Sequence, residues 1–339
     1  MSKMIKENKR RIPFVYIMIT SLLVFIGMFI TSMAFGSADT SIKDVWLALT
    51  TNAKTETALM LREIRLPREI AAIFVGAALA VSGAIMQGLT RNPLADPGLL
   101  GLTAGANAAM AIILVVIPSV NYFGLMIGCF IGAAIGTIMV FGIGMVQKGG
   151  FSQIRIVLAG AAVSAFLYAV SEGVGIYFKL SKSISMWTSG GLSGTNWDQL
   201  KVIVPFIIIG ILLSVLLSRQ LTILSLNEDV AVGLGQKTTQ IKGILYIVII
   251  LLAGASVALV GNMTFIGLMV PHIVRAIVGT DYRFIIPMSA IAGAVFMLLA
   301  DTVGRTINAP YETPVAAIVA VIGLPFFLTI VRKGGKVLS

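Results

Sequence analysis

Long stretches without a single Asp, Glu, Lys or Arg dominate the chain: residues 12–38, 70–90, 97–147, 202–218, 243–274, 284–300 and 313–331. An eighth stretch, 156–178, is interrupted only by Glu172. None shows the short alternating segments of a membrane β-barrel; they read as helices. A helix needs about 20 apolar residues to cross the hydrocarbon. The 51-residue run 97–147 is too long for one span and breaks at Pro118–Ser119–Val120–Asn121. The 32-residue run 243–274 is either one long span or a span followed by a short broken one, so the pattern predicts nine or ten crossings.

Charge at the two ends chooses between them. Lys3, Lys6, Lys9, Arg10 and Arg11 precede the first run, and Arg332, Lys333 and Lys336 follow the last. Lys and Arg mark the cytoplasmic side, so both termini are expected inside and the crossings number ten. The inside segments are then the tails, 91–96, 148–155, 218–242 and 275–283, with sixteen of the 25 Lys and Arg residues. The outside segments 37–69, 179–201 and 301–312 hold the other nine, including a cluster at Arg62, Arg65 and Arg68. A basic start before an apolar run also suits a cleaved signal peptide. The first run is long for that purpose, and removing it would put the ends on opposite sides, so a retained first helix is expected.

Composition agrees. The chain of 339 residues is 58% hydrophobic and 12% charged, with a mean hydropathy of +0.99. Soluble domains carry about a quarter charged residues, which excludes a water-soluble globule. The net charge of +11 would suggest nucleic acid in a soluble protein; here it decorates helix ends, and the expected environment is a lipid bilayer with no nucleic acid. The fold class is all-α, a single membrane domain over 1–339. The longest inside loop, 218–243, falls between the sixth and seventh spans. Spans 2–5 and 7–10 can thus form two inverted four-helix halves, with spans 1 and 6 outside the repeat.

Chemistry is sparse. The Gly335–Lys336 pair lacks the rest of a phosphate-binding loop. His272 has no second His at helical spacing, and the single Cys129 can form no disulfide within the chain. No catalytic constellation, metal site or cofactor site is predicted in this chain. Glu172 is the one acidic residue deep in a predicted span and is a pathway candidate, facing a watery cavity or sharing a buried hydrogen bond. The outer Arg cluster invites an acidic partner; contacts with lipid headgroups or with Glu63 and Glu69 are the alternative. The loop 218–243 sets Leu221, Leu224, Val230, Val232, Leu234 and Ile241 in a polar context that includes Glu228 and Asp229. A short helix against a cytoplasmic partner and a connector lying on the membrane both fit.

Several segments together resemble one family. The stretch RLPREIAAIFVGAALAVSGAIMQGLTRNPLADPGLLG (65–101) is followed in order by VLAGAAVS (157–164), MWTSGGLSGTNW (186–197), FIGLMVPHIVR (265–275) and LLADTVGR (298–305). With ETPVAAIVAVIGLPFFLTIVRK (312–333) they are similar to the FecCD permeases of type II ABC importers, which take up iron–siderophore complexes, haem and cobalamin. The resemblance implies ten helices, a second permease subunit (identical or not), two ATPase subunits that bind ATP and magnesium, and an extracytoplasmic substrate-binding protein. It also implies a bacterial cytoplasmic membrane. By resemblance Arg65, Arg68 and Arg305 receive acidic side chains of the binding protein. The loop around Leu226–Gly235 (Leu226, Glu228, Asp229, Ala231, Gly233, Leu234, Gly235) couples to the ATPases. Asn92 and Leu94 match a cytoplasmic constriction. Gln153 and Ile154 stand where the cobalamin member has small hydroxyl residues, a departure that leaves this gate's chemistry open. The expected cargo is an iron(III)–siderophore of hydroxamate type, since scarce carboxylates and His suit chelated rather than bare iron. Haem, cobalamin, or ion-coupled transport through Glu172 are the alternatives.

Overall fold

The structure is a computed structural model that describes residues 13–36, 40–51, 54–145, 153–189 and 191–332. The side chains of Leu99, Met145, Gln153, Ile154, Glu228 and Val331 lie outside that description. Among the described residues every regular element is helical. They run α1 (Phe14–Ala34), α2 (Ile42–Thr50), α3 (Glu56–Met60), a π turn (Leu61–Arg65), α4 (Leu66–Thr90) and a 3-10 turn (Pro97–Leu100). There follow α5 (Leu102–Val116), α6 (Tyr122–Met145), α7 (Gln153–Tyr177), α8 (Ser181–Thr188) and α9 (Trp197–Leu216). The chain ends with α10 (Ser218–Leu226), α11 (Glu228–Gly233), α12 (Thr238–Val260), α13 (Ile266–Val278), α14 (Tyr282–Thr306) and α15 (Val315–Arg332).

Among the described residues seven helices are long and apolar enough to cross a membrane, with α3, the π turn and α4 forming one continuous helix. Three shorter apolar helices, Leu102–Val116, Ile266–Val278 and Val315–Ile330, occupy the places of the predicted third, eighth and tenth spans. At 1.5 Å per residue α5 and α13 reach only about 20 Å, short of the roughly 30 Å hydrocarbon. Each follows a break in which one residue is left-handed: Gly101 at φ 72° before α5 and Phe265 at φ 68° before α13. The two breaks come at the same place in the chain order, after the long helices α4 and α12.

Helix α4 is the centre of the bundle and is buried along most of its length. Its glycines allow this. A Cβ on Gly76 would run into the backbone of Gly293 in α14, and one on Gly83 into the backbone of Gly267 in α13. Small residues at such crossings let backbones meet, as membrane helices require without a hydrophobic drive between them. In contrast α1 is outermost, its apolar stretch left open and its contact made on α14, where Phe14 and Phe284 stack at 4.4 Å. Open apolar surface on a spanning helix is a lipid-facing surface, so its exposure is not a packing defect.

Local signals set the ends. Ser41 and Asp44 form a capping box that starts α2, and Asn196 and Gln199 form another that starts α9. Pro67 sits at the junction of the π turn and α4, inside the continuous helix, where its missing amide withdraws one backbone donor from the ladder. Arg91 closes α4 in the left-handed conformation at φ 51°, a conformation rarely used outside Gly, Asn and Asp.

Candidate functional site

One end of the bundle holds a balanced charge cluster of three guanidinium and three carboxylate groups. Arg65 comes from the π turn, Arg68 and Glu69 from α4, Asp301 and Arg305 from the last turns of α14, and Glu312 from the loop before α15. A π turn inserts an extra residue into the repeat and resets which side chains face inwards. Arg68 pairs with Asp301 at 2.9 Å and Glu312 at 2.7 Å. Arg305 donates to Glu69 Oε1 at 2.6 Å and to Ser32 Oγ at 3.0 Å, while Ser32 donates to Glu69 Oε2. Its Nε lies 2.9 Å from Asp301, close enough for charge attraction but off the line of a hydrogen bond. Arg65 donates to the Met33 carbonyl and to Thr40 Oγ1, both at 2.7 Å.

The three arginines therefore do not present free guanidinium groups, as a simple docking surface would: Arg65, Arg68 and Arg305 are 6%, 8% and 4% exposed. Of the two acidic neighbours suggested by sequence, Glu69 forms an ion pair with Arg305 at 2.6 Å. The residues that sequence reading missed are Asp301 and Glu312, which lie 233 and 244 positions from Arg68. Glu312 is the open member, with a side chain 36% exposed. Burial alone would raise its carboxyl, but the bond to Arg68 and that charge outweigh burial and hold it below the usual carboxylate range.

At the opposite end of α4, the loop 91–101 is a built turn. Asn92 Oδ1 accepts from the Leu94 amide at 3.0 Å, and Asp96 Oδ1 from the Gly98 amide at 2.7 Å. Asn92 and Leu94 are half-buried. Beneath them Gln87 donates to the carbonyls of Gly267 and Leu268 and accepts from Arg275, which also donates to the Tyr282 hydroxyl. The predicted gate residues Gln153 and Ile154 begin α7, and their side chains lie outside the described residues.

The loop 218–243 carries two helices, α10 and α11. Leu221 and Leu224 are buried against the bundle, whereas Leu226, Val230, Val232 and Leu234 are exposed and form an apolar tip. Asp229 is exposed beside them, Gly233 and Gly235 face open space, and the Glu228 side chain lies outside the described residues. Ala231, in the same loop, is fully buried. Thr222 of α10 bonds to Asp281 and receives the Tyr282 amide, fastening the loop to the start of α14. The bond from Arg283 holds the Asp281 carboxyl below the usual range.

Glu172 is exposed on α7 and lines a cavity with Asn107 of α5, Ser171 and Asn262. Among the described residues no group of three or more His, Cys, Asp and Glu side chains is placed to hold a metal ion.

A polytopic helical bundle with broken short helices, a charge cluster at one end and an apolar loop tip at the other has the architecture of a transport subunit. The chain belongs to the FecCD transport family, which it matches over residues 22–333. It is 41% identical over 334 residues to the iron(3+)-hydroxamate import system permease FhuB of Bacillus subtilis, covering 98% of this chain and 87% of that protein. It is 37% identical over 324 residues to the hemin transport system permease HmuU of Yersinia pestis, covering 92% and 95%. A solved structure presented as an inward-facing metal-chelate type ABC transporter superposes with a TM-score of 0.83 at 26% identity, covering 94% of this chain and 99% of the other. The protein is thus a multi-pass permease of the ABC-importer type.

Proposed function

We propose that the protein is the permease subunit of an ATP-driven importer that carries iron(III)–hydroxamate siderophores across a bacterial cytoplasmic membrane. The observation that carries this reading is the 41% identity to a hydroxamate permease along 98% of the chain. The 37% identity to a hemin permease favours haem as the second reading. Uptake of radiolabelled ferric trihydroxamate, haem and cobalamin by a strain depending on this subunit distinguishes them. The proposal expects hydroxamate uptake to disappear with the gene and return with it; loss of haem uptake alone would overturn it.

The subunit would cross the membrane ten times with both ends inside. The paired breaks before α5 and α13 fit two inverted halves, since short or interrupted helices in matching positions mark transporter repeats. It would pair with a second permease subunit and two ATPase subunits. The apolar tip of Leu226, Val230, Val232 and Leu234 suits the ATPase groove, with Ala231 as a buried packing residue of the same loop. A substrate-binding protein would dock at the charge cluster. Because Arg68 is already paired there, an incoming carboxylate would replace Glu312, the half-open partner, rather than meet a vacant cation. Asn92 and Leu94, with Gln153 and Ile154, would narrow the cytoplasmic end. Uptake in vesicles lacking the ATPases but holding an ion gradient would instead point to Glu172-coupled transport.

A further inference from the structure

A polar cavity of about 530 Å³ opens where α5, α7 and α8 meet the loop after α12. Asn107 is 1% exposed on its wall, and neither its amide nitrogen nor its amide oxygen has a partner in the protein. A buried amide left with a free donor and a free acceptor is costly, and native structures rarely tolerate it without a ligand or water. Around it stand the hydroxyls of Tyr168, Ser171 and Ser185 and the amide of Asn262. Glu172 is the one charged side chain among the described residues lining the cavity. Lys179 and Lys182 follow in sequence but do not line it. Ser189 borders this cavity and also the recess that contains Arg68 and Glu312. The cavity therefore adjoins the charge cluster, where Arg68 is already neutralised by Asp301 and Glu312.

We infer that this cavity is a cargo-contacting station that selects chelates by charge, admitting neutral or cationic iron(III) chelates and disfavouring anionic ones. The inference rests on the ferric-chelate reading above. Three hydroxamates cancel the charge of one ferric ion and hold it through their own oxygens, so such a neutral chelate turns outwards the N–H and C=O groups of its backbone amides, which an amide and a ring of hydroxyls can accept from and donate to. A pendant ammonium on such a chelate meets Glu172 favourably. A pendant carboxylate meets a like charge with no lining cation to offset it. The cavity has the volume of a small-ligand site, so it takes one face of a chelate. Hydroxyl contacts keep the hold weak, as a pathway needs if cargo is to leave.

The test uses the complete importer in proteoliposomes and three ferric trihydroxamates on one skeleton, with an amine, an acetylated or a succinylated tail. Rates are normalised to each chelate's affinity for the binding protein. Wild type is expected to carry the amine and acetylated forms about fivefold faster than the succinylated one. Glu172→Gln should remove that preference and Glu172→Lys reverse it. Ser185→Lys, on the facing helix, should shift it in the same direction as Glu172→Lys. Unchanged ratios in all three variants, with transport of the acetylated form intact, would overturn the station alone. A wild-type importer that carries none of the three would overturn the hydroxamate reading on which it rests.

Discussion

Asp301 faces two guanidinium groups, Arg68 and Arg305, and is itself fully buried. Removing its charge takes one carboxylate from each of two buried cations, leaving Arg68 with Glu312 alone and Arg305 with Glu69 alone. Asp301→Ala should therefore destabilise the detergent-solubilised protein by about 3–5 kcal/mol. Glu312→Ala, at the open edge, should cost about 1 kcal/mol or less. Thermal unfolding of the two variants side by side checks the ranking. Asp281 gives a pH-dependent counterpart. Its folded carboxyl is depressed chiefly by the bond from Arg283, so its stabilisation is present above the unfolded value and lost as pH falls through the folded one. The stability gap between wild type and Asp281→Asn should be open at neutral pH and close below about pH 4. Little of this was legible in the linear chain. The arginines stand out in RLPR, but the carboxylates that Arg68 pairs with lie 233 and 244 positions away, and local neighbours such as Glu63 were equally good candidates until the helices were placed. Asn107 and Glu172 carried a weaker signal: each is a polar residue inside an apolar stretch, which in a membrane helix asks for a partner or a cavity.

The long apolar runs mapped directly onto helices, because a lipid-facing helix is apolar on nearly every side and needs no periodicity to be noticed. Short amphipathic elements escaped that reading. Neither α2 nor α8 is long enough to give a hydropathy signal, and the charges of Arg62–Glu69 hid the fact that the helix continues outward from α4 through the π turn into α3. The close crossings suggest a sharper test than any span count. Gly76→Leu must push α4 off the Gly293 backbone, and overpacking of this kind costs about 1–3 kcal/mol or more. Gly142→Leu faces open space and should change thermal stability little. The tip of α10 and α11 makes the opposite prediction. Leu226→Asp and Leu234→Asp lie on exposed surface, so they should leave unfolding unchanged while weakening recovery of the ATPase subunits by about tenfold or more, as loss of buried apolar anchors does.

At the scale of the whole molecule, orientation follows from which end meets which compartment. With single cysteines in a Cys129→Ala background, Lys201→Cys should react with an impermeant thiol reagent in intact cells. Arg91→Cys should react only after permeabilisation. The reverse pattern would invert the proposed topology. The two ends also differ in what holds them. At one, ion pairs and hydrogen bonds tie α1, the π turn, α4, α14 and the loop before α15 into a single knot. At the other, Gln87 and Arg275 join α4 to α13 and to Tyr282 of α14, and the helix ends in a turn held by an asparagine and an aspartate. Between Arg68 and Gly88 the helix runs about 30 Å. Were α4 to tilt about that knot by roughly 5°, its far end would move about 3 Å, more than the roughly 1–2 Å of an ordinary helix shift at an interface.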